Sequence, residues 1–80
     1  MFYTYILKRL KDHKYYYGHA SNLDLRLKQH NYGKVIAANE RRSLILHYSE
    51  VFSTKTEAIK RELFFKSIDG DTFLKENKII

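Results

Sequence analysis

Two aromatic runs, one on each side of a short polar stretch, constrain this chain more than any other feature. Phe2 to Leu7 alternates, with Tyr3, Tyr5 and Leu7 on one side and Phe2, Thr4 and Ile6 on the other. Tyr15 to His19 is the second run, and Lys8 to Lys14 between them is polar. Aromatic residues at period two, joined by so short a connection, predict a β-hairpin. The chain of 80 residues can build only a small core beneath that hairpin. It has no cysteine, so no disulfide supports the core and no thiolate can serve as nucleophile or zinc ligand.

The remaining segments supply what packs on the hairpin. Ser21-Asn22-Leu23-Asp24 offers a capping box, and a helix from Asn22 to Tyr32 follows, stopped by Gly33. Val35 to Arg42 reads as loop, and Leu44 to Phe52 as a third strand. Thr54-Lys55-Thr56-Glu57 is a second capping box, opening a helix from Lys55 to Ser67. Ile68-Asp69-Gly70 breaks it, and Asp71 or Thr72 caps a last short helix through Phe73 and Leu74. There is no proline, repeat or linker-like tract. The expected architecture is one α+β (α/β) domain over residues 1–80, in the order β-β-α-β-α-α.

Lys and Arg number 15 against 9 Asp and Glu, a net charge of +6. On so small a domain that excess points to an anionic partner, nucleic acid first. No segment reaches the ~20 apolar residues of a membrane span, and the N-terminus is too short and polar for a signal peptide. A disulfide-free domain of this kind fits the cytoplasm.

Few residues suggest chemistry. Arg26 and His30 lie one helical turn apart beside the apolar Leu23 and Leu27, at the rim of the core. Arg26 can grip a phosphate there, or lay its stem along apolar surface. Glu62 falls between Ala58 and Ile59 on its helix. A carboxylate on that stripe requires a partner, either a hard cation such as Mg²⁺ or a basic side chain. Tyr5 and Tyr16 sit on the hairpin strands, where a hydroxyl can orient water or bond a phosphate oxygen, or simply pack. His13, His19, His30 and His47 lack zinc spacing.

Taken in order, these segments resemble the GIY-YIG nuclease superfamily, above all its short standalone bacterial members. They are more distantly similar to the N-terminal domain of the bacterial excision-repair nuclease. Phe2-Tyr3-Thr4-Tyr5-Ile6-Leu7 resembles the first motif, with Tyr5 at its tyrosine, and Lys14-Tyr15-Tyr16-Tyr17-Gly18 the second, with Tyr16 and Gly18 at its tyrosine and glycine. Ser21 to Asn31 resembles the first helix, whose Arg and His fall on Arg26 and His30. Arg41-Arg42 with Leu44 to Glu50 resembles the third-strand segment, and Glu57 to Glu62 the metal helix. Thr4 stands where the family name has Gly, and Ile36-Ala37-Ala38-Asn39 replaces a common Tyr-Thr pair.

The resemblance implies a three-stranded antiparallel sheet flanked by helices. It also implies an endonuclease that hydrolyses phosphodiesters, in DNA first, in repair or recombination. Glu62 would hold one Mg²⁺ or Mn²⁺, and Arg26 would neutralise charge on the phosphoryl oxygens. Tyr5 would orient or deprotonate the attacking water, Tyr16 would assist at the phosphate, and His30 would support Tyr5 or the phosphate. Lys28, Lys34, Arg41 and Arg42 would be sequence-blind backbone contacts. A partner protein could direct a chain with so little room for targeting. The rivals are a nucleic-acid-binding module of the same fold without catalysis, and a small interaction protein whose charge is incidental.

Overall fold

The computed structural model describes the backbone of residues 1–31 and 44–80, and the side chains of these except 28–31. Among the described residues the order is β1 (Phe2–Arg9), β2 (Tyr15–Ala20), α1 (Leu23–Asn31), β3 (Leu44–Phe52), α2 (Lys55–Phe65) and α3 (Ile68–Glu76). This is the α+β architecture expected, with all three strands antiparallel and β1 in the middle of the order β2-β1-β3. The expected loop at Val35 to Arg42, and Gly33 as helix stop, lie outside the described residues.

The alternation of β1 divides the core in two. Tyr5 and Leu7 join Ala20 and Leu44 under Leu23 and Leu27 of α1. Ile6, on the opposite face, joins Phe65 and Leu74 of α2 and α3, with Tyr15, Tyr17, Tyr48, Phe64 and Phe73 around them. The central strand is therefore buried on both faces, which explains how so short a chain encloses Thr4, Tyr5, Ile6 and Leu7. β3 carries one irregularity. Ile6 pairs with Tyr48 and Leu7 with Leu46, so His47 has no partner on β1. Such a bulge bends the strand, and here the His47 ring donates from Nε2 to the Ile79 carbonyl.

The helix caps agree only in part with the sequence. Thr54 opens α2 as expected, accepting from the Glu57 amide at 3.3 Å. α1 is capped by Asn22, whose Oδ1 accepts from Leu25 N at 3.0 Å, rather than by Ser21. α2 ends at Phe65, and α3 begins at Ile68 with Ser67 as its cap, not at Asp71 or Thr72. Gly70 therefore lies inside α3 instead of breaking a helix.

Its role is close approach. A Cβ at Gly70 would stand 1.7 Å from the Phe64 carbonyl oxygen, which is backbone and cannot swing aside. Alanine gains about 1 kcal/mol of helix propensity over glycine, but overpacking costs about 1–3 kcal/mol and sometimes more. We expect Gly70→Ala to lower the melting temperature by several degrees, since ~1 kcal/mol moves a domain of this size by roughly 4–8 °C. A thermal melt equal to or above wild type would show that the α2–α3 corner does not need the glycine.

Candidate active site

The site begins with one cross-strand pair. Tyr5 on β1 stands opposite Gly18 on β2. Its ring lies across the glycine so closely that a Cβ there would meet the phenol oxygen at 2.4 Å. Gly18 has no positive φ, so the glycine serves space rather than backbone conformation. Tyr16 precedes Gly18 by two and pairs with Leu7. It therefore shares the Tyr5 face one step along the ladder, and the residue is 38% exposed. The Arg9 guanidinium lies 5.5 Å from the centre of that ring.

Arg26 reaches this place from α1. Leu23 and Leu27 fix the helix on the core, and Arg26 between them remains exposed. Glu62 approaches from α2. Both charges act on the Tyr5 hydroxyl. Burial pushes its pKa above the ordinary tyrosine value, Arg26 pulls it down and Glu62 pushes it up, with a net rise. The phenol therefore keeps its proton at neutral pH. Arg26 and Glu62, far apart in sequence, thus both lie near enough for their charges to act on the Tyr5 hydroxyl.

The placement of Glu62 follows from register. The buried Thr4 hydroxyl donates to the Ala58 carbonyl at 2.7 Å, which docks α2 over β1. Thr4 is paired with His19 on the neighbouring strand. One turn beyond Ala58 the helix presents Glu62, and there His19 Nδ1 stands 2.5 Å from Glu62 Oε1. The carboxylate can only accept, so Nδ1 carries the proton. Lys66, four residues on, donates to Oε2 at 2.7 Å. The rotation of α2 is held by Arg61, which donates to both oxygens of Glu50 at 2.7 and 3.3 Å. Its guanidinium also lies 4.8–4.9 Å from the ring centres of Phe64, Phe65 and Phe73.

These contacts favour the ionised form of Glu62. Burial pushes its pKa up, but the hydrogen bonds and charges of Lys66 and His19 outweigh that and hold it below the ordinary carboxylate value. An ionised carboxylate is a hard oxygen donor, suited to Mg²⁺ or Mn²⁺ with water completing the shell. Among the described residues no group of three or more His, Cys, Asp or Glu converges in a way that could hold a metal. Glu62 offers the ionised oxygens such an ion requires, and His19 and Lys66 bond both of them.

Of the residues singled out from sequence, Arg26 and Glu62 both act on the Tyr5 hydroxyl by their charge, and Tyr16 shares the Tyr5 face of the sheet. His30 and Lys28 lie on α1, but their side chains are outside the described ones, and Lys34, Arg41 and Arg42 lie outside the described residues altogether. His19 was not foreseen. Its identity as partner depends on the pairing of β1 with β2 and of β1 with α2, which no local pattern carries. Lys66 could have been found from its i,i+4 spacing to Glu62.

Comparison with known proteins places the chain in a family. The family model described as the GIY-YIG catalytic domain matches residues 1–75. A UPF0213 protein of Staphylococcus haemolyticus is 39% identical over 74 residues, covering 91% of this chain and 89% of its own length. One from Bacillus licheniformis is 42% identical over 67 residues, covering 82% and 68%. The UPF0213 protein YazA of Bacillus subtilis is 40% identical over 65 residues, covering 80% and 65%. No solved structure matches the chain. No helix among the described residues is long and apolar enough to cross a membrane.

Proposed function

Because the chain belongs to the GIY-YIG family, whose catalytic-domain model spans residues 1–75, we propose that it is a divalent-metal-dependent endonuclease. It hydrolyses phosphodiester bonds in nucleic acid, with DNA as substrate and a place in repair or recombination, and works in the cytoplasm as a single domain. The observation that supports this reading is that the charges of Arg26 and Glu62 both act on the buried Tyr5 hydroxyl, which lies across Gly18. A fold-only role would not require a carboxylate and a guanidinium to reach the same buried phenol.

Glu62 would hold one Mg²⁺ or Mn²⁺, which when bound polarises the phosphate and stabilises the leaving oxygen. Arg26 neutralises the charge that develops on the phosphoryl oxygens. Tyr5 orients the attacking water. With its pKa raised by burial and by Glu62, the phenol acts as a hydrogen-bonding group and not as a phenolate base, and the proton of the water passes to solvent or phosphate. Tyr16, exposed on the same face, bonds the phosphate, and His30 supports it from α1. Lys28, Lys34, Arg41 and Arg42 contact the flanking backbone. His19 keeps Glu62 aimed.

A second reading draws on one specific observation: both Glu62 oxygens already have partners, His19 and Lys66. On that reading the carboxylate is structural and the chain binds nucleic acid without cutting it. A panel of linear, flapped and branched DNAs, and an RNA, incubated with purified protein with and without Mg²⁺ or Mn²⁺ separates the two. Metal-dependent nicking is the expected result. Binding with no nicking of any substrate would leave the second reading standing.

A further inference from the structure

The turn between β1 and β2 carries a concentration of charge that no role yet uses. Residues 8–14 contain Lys8, Arg9, Lys11 and Lys14 against Asp12. That is a net charge of +3, half of the +6 of the whole chain. Lys11 and Lys14 are exposed.

The turn is built rather than loose. Arg9 N donates to Lys14 O at 2.8 Å, and His13 N to Arg9 O at 2.7 Å. Asp12 accepts from Lys14 N at 3.2 Å and from Arg9 Nε at 3.0 Å. His13 is held at φ 59°, a left-handed conformation unusual for a residue other than glycine. Its cationic side chains therefore project from a fixed frame, which limits the ordering cost of binding.

The frame is continuous with the site. Arg9 follows Tyr5 by four residues on β1, so alternation puts it on the Tyr5 face, about 13 Å along the strand. Its guanidinium covers the ring of Tyr16. A nucleic-acid strand carries a phosphate every ~3.4 Å of helix axis. A polyanion with one phosphate at Tyr5 and Arg26 and its axis along β1 therefore brings flanking phosphates to the turn.

We propose that the β1–β2 turn is a second, sequence-blind contact for the nucleic-acid backbone, with Lys11 and Lys14 meeting phosphates a few nucleotides from the scissile one and Arg9 joining turn to site. The proposal rests on the nuclease reading of the same face.

The test is equilibrium binding of a short fluorescent DNA duplex, without divalent metal so that nothing is cut, across a range of salt concentrations. The proteins are wild type, Lys11→Ala/Lys14→Ala, and a charge-matched control, Lys75→Ala/Lys78→Ala, on the α3 side of the sheet. All three are checked by thermal melting. The turn variant should bind on the order of tenfold more weakly at low salt, with its log–log salt slope smaller by about 2. The control should match wild type. A turn variant that keeps wild-type affinity and slope overturns the proposal. So does a control that loses as much, because the effect would then be net charge and not place. A wild type that binds no DNA overturns the turn contact, while the nuclease reading stands or falls separately on metal-dependent nicking of the substrate panel.

Discussion

Replacing Arg26 with alanine should lower the cleavage rate by about 10²–10³-fold, the usual cost of removing a preorganised charge from a developing oxyanion, while the protein stays folded. Arg26 is exposed on α1, and the helix is fixed by Leu23 and Leu27 beside it. Truncation should therefore change stability by no more than ~0.5 kcal/mol. Its charge nevertheless reaches the buried Tyr5 hydroxyl, which puts it at the place where Tyr5 would hold the water. Arg26→Lys should recover only part of the rate, because an ammonium lacks the planar fork that grips two phosphate oxygens at once. Single-turnover cleavage beside a thermal melt reads both quantities. A folded Arg26→Ala protein that cuts at the wild-type rate would remove Arg26 from the mechanism.

The parts of the fold that were legible are those written in local pattern. The period-two aromatics of β1 predicted both the hairpin and the division of its faces, and Tyr5 and Ile6 do lie in separate cores. Thr54 and Glu57 announced the start of α2. The start of the last helix is not legible, because glycine is a poor helix former in isolation, whereas Gly70 lies inside α3 and serves its tight approach to the Phe64 carbonyl. Asn22 and Ser21 are both good caps, and spacing alone does not choose between them. At the site, Glu62 falls on the apolar stripe between Ala58 and Ile59, where a carboxylate requires a partner, and the structure supplies two. That one of them is His19 depends on Thr4, which pairs with His19 across the sheet and docks the Ala58 carbonyl beneath it. Such a relation joins three distant segments, so no window of sequence contains it.

Those two partners set the terms of the largest effect, that of Glu62→Gln. The amide keeps the shape of the carboxylate and still accepts from His19, but it cannot serve as an anionic ligand. Cleavage should fall at least about 10²-fold and should not recover at raised Mg²⁺, since a hard divalent ion gains most of its binding from charge on oxygen. Stability should fall only slightly. Lys66 is about half exposed in its pair with Glu62, and an i,i+4 pair of that kind contributes about 0.3–0.5 kcal/mol. The lowered pKa of Glu62 gives the same small term a pH signature. The stabilisation is present above the ordinary carboxylate pKa and is lost as pH falls through the lower, folded-state value. The melting difference between wild type and Glu62→Gln should therefore shrink in acid. Mn²⁺ binding, followed by electron paramagnetic resonance on the same preparations, gives a readout independent of turnover, with the wild type binding the ion and the variant losing it. A variant that melts lower yet cuts and binds Mn²⁺ normally would assign Glu62 wholly to its pairs with His19 and Lys66, and the nuclease reading would lose its metal ligand.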